Sequence, residues 1–222
     1  RAIARLLLEA SAAVGQAQTQ GATPLFIASH NGHLECARLL LAAGAAVDQA
    51  EEQGATPLLI ACQNGHLECA QLLREADADI NQARNDGTTP LFITCQEGHL
   101  ECVRLLLEAS AAVGQARNNG VTPLFMACQQ GHKGHLEIAR LLRDAGASLN
   151  QASEDGCTPL FIACQEGHPE IARLLIEADA DINQAEENGC TPLFIACENG
   201  QLECAQLLCD AGAAINQANQ NG

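Results

Sequence analysis

Tryptophan and tyrosine are absent from the 222 residues, phenylalanine occurs only five times, and the single lysine is Lys133. With so few large side chains to fill irregular gaps, the interior has to be built from small aliphatic groups in close, regular layers, which favours stacked helices over a sandwich or barrel. Basic residues are scarce: 11 Lys and Arg stand against 27 Asp and Glu, for a formal charge of -16. Such a field repels nucleic-acid phosphates and anionic membrane surfaces. No basic run and no set of stacking aromatics offsets it. No apolar stretch reaches the roughly 18 residues of a membrane span. A Gly-rich phosphate loop, a nucleophile elbow and a metalloprotease helix are also missing, and carboxylates on solvated turns are ordinary surface, so no enzyme is expected in this segment.

What is present is order at long range. Thr-Pro-Leu begins at Thr23, Thr56, Thr89, Thr122, Thr158 and Thr191, in steps of 33, 33, 33, 36 and 33 residues. A period of this length marks a solenoid. The chain divides into a leading half repeat, 1–22, and repeats 23–55, 56–88, 89–121, 122–157, 158–190 and 191–222, read as one array.

Each repeat spells helix, turn, helix and extended finger. Thr23 caps the first helix with Pro24 at its first position, where the missing N–H does no harm, and Gly32 ends it in the left-handed conformation. Leu34, Ala37, Leu40 and Leu41 follow helical spacing through a second helix that ends near Ala42. Gly44 stops that helix. Asp77, Ser110, Gly146, Asp179 and Gly212 take the same place, Ser tolerating it least readily. Helices this short are not stable alone, so stacking is the fold.

Thr56-Pro57-Leu58, Ala61-Cys62, Gly65-His66-Leu67-Glu68 and Ala78-Asp79-Ile80-Asn81 together resemble the ankyrin repeat, and the likeness recurs six times over essentially the whole chain. The resemblance implies an all-α solenoid of helix-turn-helix-finger units stacked in a curved array, acting as a protein-protein interaction scaffold without cofactors. Three departures stand out. Phe26, Leu59, Phe92, Phe125, Phe161 and Phe194 replace the family's usual His. Gln18, Glu51, Arg84, Arg117, Ser153, Glu186 and Asn219 replace the Asp that usually opens the finger tip. Cys often replaces Ala or Val. These bear on hydrogen bonding at the finger, not on the fold.

The twelve cysteines fall mainly into two ladders. Cys62, Cys95, Cys128, Cys164 and Cys197 share a first-helix position; Cys36, Cys69, Cys102 and Cys204 share a second-helix position where Ile138 and Ile171 also stand. Rungs on stacked helices lie roughly 8–10 Å apart, beyond the reach of about 7 Å that a disulfide tolerates. The thiols therefore read as compact apolar packing, and unpaired thiols suit a reducing compartment such as the cytoplasm. The His-x-x-Cys pairs His33/Cys36, His66/Cys69 and His99/Cys102 supply two donors per repeat where a closed zinc site needs four converging ones. These histidines are expected to order the turn. The Phe row reads as core or inner-groove packing, with a row of partner anchors as the alternative.

Positions that vary between copies are the candidate binding surface. On the finger tips they include Glu52 and Gln53, Asn85 and Asp86, Asn118 and Asn119, Glu154 and Asp155, and Glu187 and Asn188, with Arg84 and Arg117 opening two of the tips. At the ends of first helices they include Gln96 and Glu97, Gln129 and Gln130, and Gln165 and Glu166. The residue after the finger glycine varies too, as Ala22, Ala55, Thr88, Val121, Cys157 and Cys190. In proteins like ankyrin repeats such positions line a concave partner-binding face, although exposed turns also drift freely. The face is net acidic around Arg84 and Arg117, so the expected partner is a protein with a basic or mixed surface.

Two irregularities remain. Gly131-His132-Lys133-Gly134-His135 adds three residues in the turn between helices of the fourth full repeat, as a tolerated insertion or a partner contact. Neither end reads as a polar cap: Ile3, Leu6, Leu7 and Leu8 open the chain and Leu202, Leu207 and Leu208 close it. That favours a longer array or covered ends, and it supplies the alternative function, a structural subunit or spacer of a larger assembly. On the metal question, adding a chelator should leave the melting temperature unchanged; a large drop would restore a metal site.

Overall fold

The structure, a computed structural model, describes residues 15–18, 20–131 and 133–215, apart from the side chain of Lys133. Arg1, Ile3, Leu6, Leu7, Leu8, Thr19, His132, Asn219 and Gly222 lie outside the described residues. Among the described residues there are twelve helices and no strand. They fall in two compact units, residues 1–112 and 113–222, each an all-α run of helix pairs.

The first unit holds α1 (Pro24–His30), α2 (Leu34–Ala42), α3 (Pro57–Gln63), α4 (Leu67–Glu75), α5 (Pro90–Glu97) and α6 (Leu100–Glu108). Inside it the first helices α1, α3 and α5 pack in series, and the second helices α2, α4 and α6 form a parallel series. The second unit repeats the plan with α7 (Pro123–Gln130), α8 (Lys133–Asp144), α9 (Pro159–Glu166), α10 (Pro169–Glu177), α11 (Pro192–Glu198) and α12 (Leu202–Asp210).

Every first helix starts the same way. The buried Thr at its N-cap accepts a hydrogen bond from the backbone N–H three residues on, at 3.1 Å for Thr23, Thr56, Thr89, Thr122 and Thr158 and 3.2 Å for Thr191. Each cap contributes about 1 kcal/mol. The second helices end on left-handed residues, including Asp77 (φ 61°), Ser110 (φ 61°) and Asp179 (φ 62°), where a side chain replaces glycine at some cost in strain. Apolar faces then meet. Leu58, Leu59, Ala61, Cys62, Leu73 and Ala70 are fully buried in the first unit, as are Leu124, Ala127, Cys128, Ile138, Leu142, Leu160 and Leu175 in the second.

The tie between repeats is a histidine. His66 Nε2 lies 3.0 Å from the His30 carbonyl, His99 Nε2 3.1 Å from that of Gln63, and His168 Nε2 3.0 Å from that of Gln129. In the last described repeat Gln201 takes the place of His and donates to the Gln165 carbonyl at 3.3 Å. The ring lies flat against a glycine: a Cβ on Gly65 would fall 2.6 Å from His99 Nδ1, and Gly65 is left-handed besides (φ 69°). With Nε2 so engaged, the histidines order the turns, and among the described residues no three His, Cys, Asp or Glu side chains converge on a metal site.

Sequence position and structure differ at the insertion. Lys133, Gly134 and His135 do not form a loop; they lengthen α8 to 12 residues, where its counterparts have 9. Gly131 still ends α7 in the left-handed conformation (φ 64°), and His135, aligned with the turn histidines, becomes a buried residue inside the helix. Extending an existing helix adds a hydrogen bond for each residue fixed, which a free loop does not.

A second tie runs along the base of the fingers. Asn81 Oδ1 accepts from Ala112 N at 2.9 Å, Asn150 Oδ1 from Asp181 N at 2.9 Å and Asn183 Oδ1 from Ala214 N at 2.8 Å. Asp48 does the same for Asp79 N at 3.1 and 3.2 Å. Burial raises the Asp48 pKa; the Asp79 N–H bond works against this and the Asp79 carboxylate adds to it. The amide side chain is therefore the better solution. At the aligned position the third repeat has Gly114, which has no left-handed requirement and room for a Cβ, the nearest atom being 4.0 Å away. Gly114→Asn should restore the tie, to the aligned amide of Ser148. We expect a gain of about 1 kcal/mol from one hydrogen bond plus reduced chain entropy, against about half that for Gly114→Ala, read from urea denaturation midpoints.

Candidate functional site

The fingers are held tip to tip through the main chain. Glu52 N donates to Gln20 O and Asn85 N to Gln53 O, both at 3.0 Å, in the first unit; Glu154 N donates to Asn119 O at 3.0 Å and Glu187 N to Asp155 O at 3.2 Å in the second. Close approach makes this possible. At Gly156 (φ 80°) a Cβ would sit 2.9 Å from Glu187 N. Side chains at the tips are thereby presented at a fixed spacing whatever their chemistry.

The residues that replace the usual opening Asp divide the work of closing each finger. Glu51 Oε1 accepts from Ala55 N at 3.0 Å, and Glu186 Oε1 from Cys190 N at 3.0 Å. Where Arg84 and Arg117 open the finger, the third tip residue substitutes: Asp86 Oδ1 accepts from Thr88 N at 3.0 Å, and Asn119 Oδ1 from Val121 N at 3.4 Å. Arg84 reaches back instead, donating to Gln53 Oε1 at 2.9 Å, while Asn85 Nδ2 donates to Glu52 O at 3.1 Å. Of the expected binding residues, Gln53, Arg84, Asn85, Asp86 and Asn119 thus carry bonds that hold the fingers. Gln96 and Gln165 each donate to the next side chain, Glu97 at 2.9 Å and Glu166 at 3.1 Å. Glu154 and Asp155 are exposed, and their carboxylates accept no hydrogen bond and form no ion pair among the described residues.

Between fingers and first helices lie two equivalent grooves. One, of about 380 Å³, belongs to the first unit and is lined by Gln20, Ala22, Phe26, Ile27, His30, Glu51, Gln53, Ala55, Ile60, Gln63 and Arg84. The other, of about 460 Å³, belongs to the second and is lined by Arg117, Asn119, Val121, Phe125, Met126, Gln129, Ser153, Asp155, Cys157, Ile162 and Gln165. The structure brings Gln53 and Arg84 to the first groove and Arg117, Asn119, Gln129, Asp155 and Gln165 to the second. Glu52, Asn85, Asp86, Gln96, Glu97, Asn118, Gln130, Glu154, Glu166, Glu187 and Asn188 stand on tips and helix ends and line neither.

The Phe row is mostly interior. Phe92, Phe125 and Phe161 are buried along with Leu59, Phe26 is half-buried against Ala55, Leu59 and Ile93, and only Phe194 reaches 37% exposure. The aliphatic lining shared by both grooves is instead the next residue in each first helix: Ile27 and Ile60 in one groove, Met126 and Ile162 in the other. Sequence reasoning missed this row. The available signal was its spacing of three residues before the variable helix-end positions His30, Gln63, Gln129 and Gln165, which puts both on one helix face.

None of the twelve cysteines is joined in a disulfide. Burial pushes the Cys62, Cys95 and Cys128 thiols well above their ordinary range, and burial with help from Glu101 pushes Cys102 up to about 11. Such thiols stay protonated and unreactive. Cys164 and Cys204, from different ladders, are in hydrogen-bonded thiol contact.

The sequence matches the family model for ankyrin repeats in three copies, over residues 1–84, 77–153 and 133–219. The chain belongs to the ankyrin repeat family. Among solved structures it is similar to the human ASB11 ankyrin repeat domain, with 30% identity and a TM-score of 0.82 over 90% of this chain and 89% of that one. It is also similar to an ankyrin repeat domain from Acinetobacter baumannii, with 31% identity and a TM-score of 0.79 over 86% of this chain and 98% of that one. No curated protein matches it in sequence. Ankyrin repeat domains are in general protein-protein interaction modules. No helix among the described residues is long and apolar enough to cross a membrane.

Glu186 gives the ankyrin finger a pH dependence. Slight burial acts to raise its pKa, but bonds from the N–H groups and side chains of Asn188 and Cys190 outweigh that and hold it below the ordinary carboxylate range. A lowered pKa means that the bonds contribute fully above the carboxyl's unfolded value and are lost as pH falls through its folded value. The protection of the Cys190 and Asn188 amides, taken as exchange relative to the intrinsic rate at each pH, should fall on acidification in the native chain. Glu186→Gln, which does not titrate, should flatten that dependence.

Proposed function

We propose that this chain is a protein-docking scaffold that holds its partner on the finger and first-helix face. One observation carries the reading: each unit repeats a groove with an aliphatic lining and a polar rim, framed by main-chain bonds that do not depend on which side chains occupy the tips. The backbone is fixed and the decoration varies, as a recognition surface requires. The partner is a protein with a basic or mixed surface, because the formal charge of -16 disfavours phosphate polymers and Arg84 and Arg117 interrupt an otherwise acidic set of tips. The unlinked thiols suit a reducing compartment, where we place it. No catalytic step is part of this reading.

A second reading draws on the exposed apolar side chains of the last described repeat, Leu202 at 78% and Ile215 at 77%, and makes the chain a subunit or spacer in an assembly. The two separate by substitution. For a docking scaffold, a partner isolated by affinity capture should lose at least about tenfold in affinity between low and high salt. It should also be lost on Glu154→Lys with the melting temperature unchanged, and on Arg84→Glu in a chain that remains folded although its bond to Gln53 is gone. Loss confined to Leu202→Glu and Ile215→Glu would favour the assembly.

A further inference from the structure

The two grooves are equivalent in backbone but not in what their rims leave available. In the first unit the charged groups that line the groove are engaged within the chain: Arg84 donates to Gln53 and Glu51 accepts from Ala55 N. In the second, the tip made by Glu154 and Asp155 carries two exposed carboxylates with no intrachain hydrogen bond or ion pair among the described residues. Asp155 itself lines the groove, beside Met126, Ile162 and Val121. An aliphatic trough and the open Asp155 carboxylate therefore share one edge, with Glu154 next to it on the tip.

We infer that the second-unit groove receives an extended protein segment in which a large aliphatic side chain lies next to a Lys or Arg. This rests on the docking reading above and adds the chemistry of the occupant. Three features support it. First, Met126 and Ile162 are almost covered, at 8% and 4% exposure, so they form a firm lining into which one aliphatic side chain descends without rearrangement of the core. Second, a cationic side chain beside that anchor meets Glu154 and Asp155, whose charges are solvated in the unbound chain and need break no existing bond to accept it. Third, the main-chain bonds Glu154 N to Asn119 O and Glu187 N to Asp155 O hold this tip between its neighbours, so the carboxylates keep their distance from the trough. A volume of about 460 Å³ is within the range of side-chain and small-ligand sites. An acidic segment would meet the Glu154 and Asp155 carboxylates with Arg117 as the one cation lining the groove among the described residues, and a purely basic one would leave the trough unfilled.

The test uses the purified 222-residue chain as bait for a random linear-peptide library displayed on phage, with selected peptides remade and measured by fluorescence anisotropy. The expected result is enrichment of peptides with Leu, Ile or Met adjacent to Lys or Arg. Their affinity should fall at least about tenfold on replacing the aliphatic residue by Gly, and by a similar factor on Glu154→Lys with Asp155→Lys in the protein. Glu52→Lys, on an exposed tip of the other unit, should leave them unaffected. Because neither carboxylate holds the fold, the double variant should melt as the parent does. Peptides without the aliphatic-basic pair that still lose binding on Arg84→Glu or the double Lys variant would overturn this inference and leave the docking face standing. Peptides indifferent to every tip substitution, or no enrichment at all, would overturn both.

Discussion

A histidine ring laid flat on a glycine of the preceding repeat sets the geometry on which the other contacts depend. At Gly65 and His99 the glycine is required twice, once by its left-handed backbone and once by a ring atom standing where a Cβ would be. The bond that the ring makes, Nε2 to the Gln63 carbonyl, satisfies a C-terminal carbonyl of one first helix from the start of another repeat's second helix. One side chain thus fixes the separation of neighbouring repeats and closes a helix end that would otherwise rely on water. Such a tie matters because most of these helices have only seven to nine residues and none has more than twelve, too short to persist without neighbours. Burial of the leucine, alanine and cysteine faces supplies most of the stabilising energy, but burial alone is non-directional. The histidine and finger-base asparagine bonds give it register.

Register has a consequence for recognition. Because finger joins finger through N–H and C=O groups, substitution of a tip side chain leaves the frame intact. Closing the finger is likewise not tied to one residue type: Glu51 and Glu186 do it from the first tip position, Asp86 and Asn119 from the third. When Arg occupies the first position, the acceptor has moved along the chain, and the arginine is released to reach another finger, as Arg84 does to Gln53. A tip residue's availability to a partner is therefore what remains after its finger has been closed. By that criterion Glu154 and Asp155 differ from Asp86, although all three are acidic tip residues.

The fold was legible because its signals are local and repeated six times. Thr caps, Pro at the first helical position and Gly or Asp after the second helix each act within a few residues, and the structure places them where the pattern does. Even Ser110 adopts the left-handed conformation that its alignment with Gly44 requires. The site was legible only in part, since which side of a helix a residue serves depends on packing between repeats. Leu59 and Ile60 are adjacent and both apolar; only the stacked structure shows the row of Leu59 and the phenylalanines turned mostly inward and the next row, at Ile27, Ile60, Met126 and Ile162, bordering the grooves. The insertion before His135 could be counted but not shaped, because a helix extension and a loop have the same length in sequence.

The difference between the two grooves follows from these same rules. A partner's cation gains little from a carboxylate that must first abandon a backbone N–H, since the bond broken offsets the bond made. Glu51 is in that position. Asp155 is not: neither it nor Glu154 accepts a closing bond in its finger, and Asp155 remains exposed beside Met126 and Ile162. Selectivity between grooves with a repeated backbone and a comparable aliphatic lining then depends on which tip residues are left out of the closing bonds. A chain built from near-identical repeats need not bind identically along its length, and it reaches that difference without altering any residue that holds the stack.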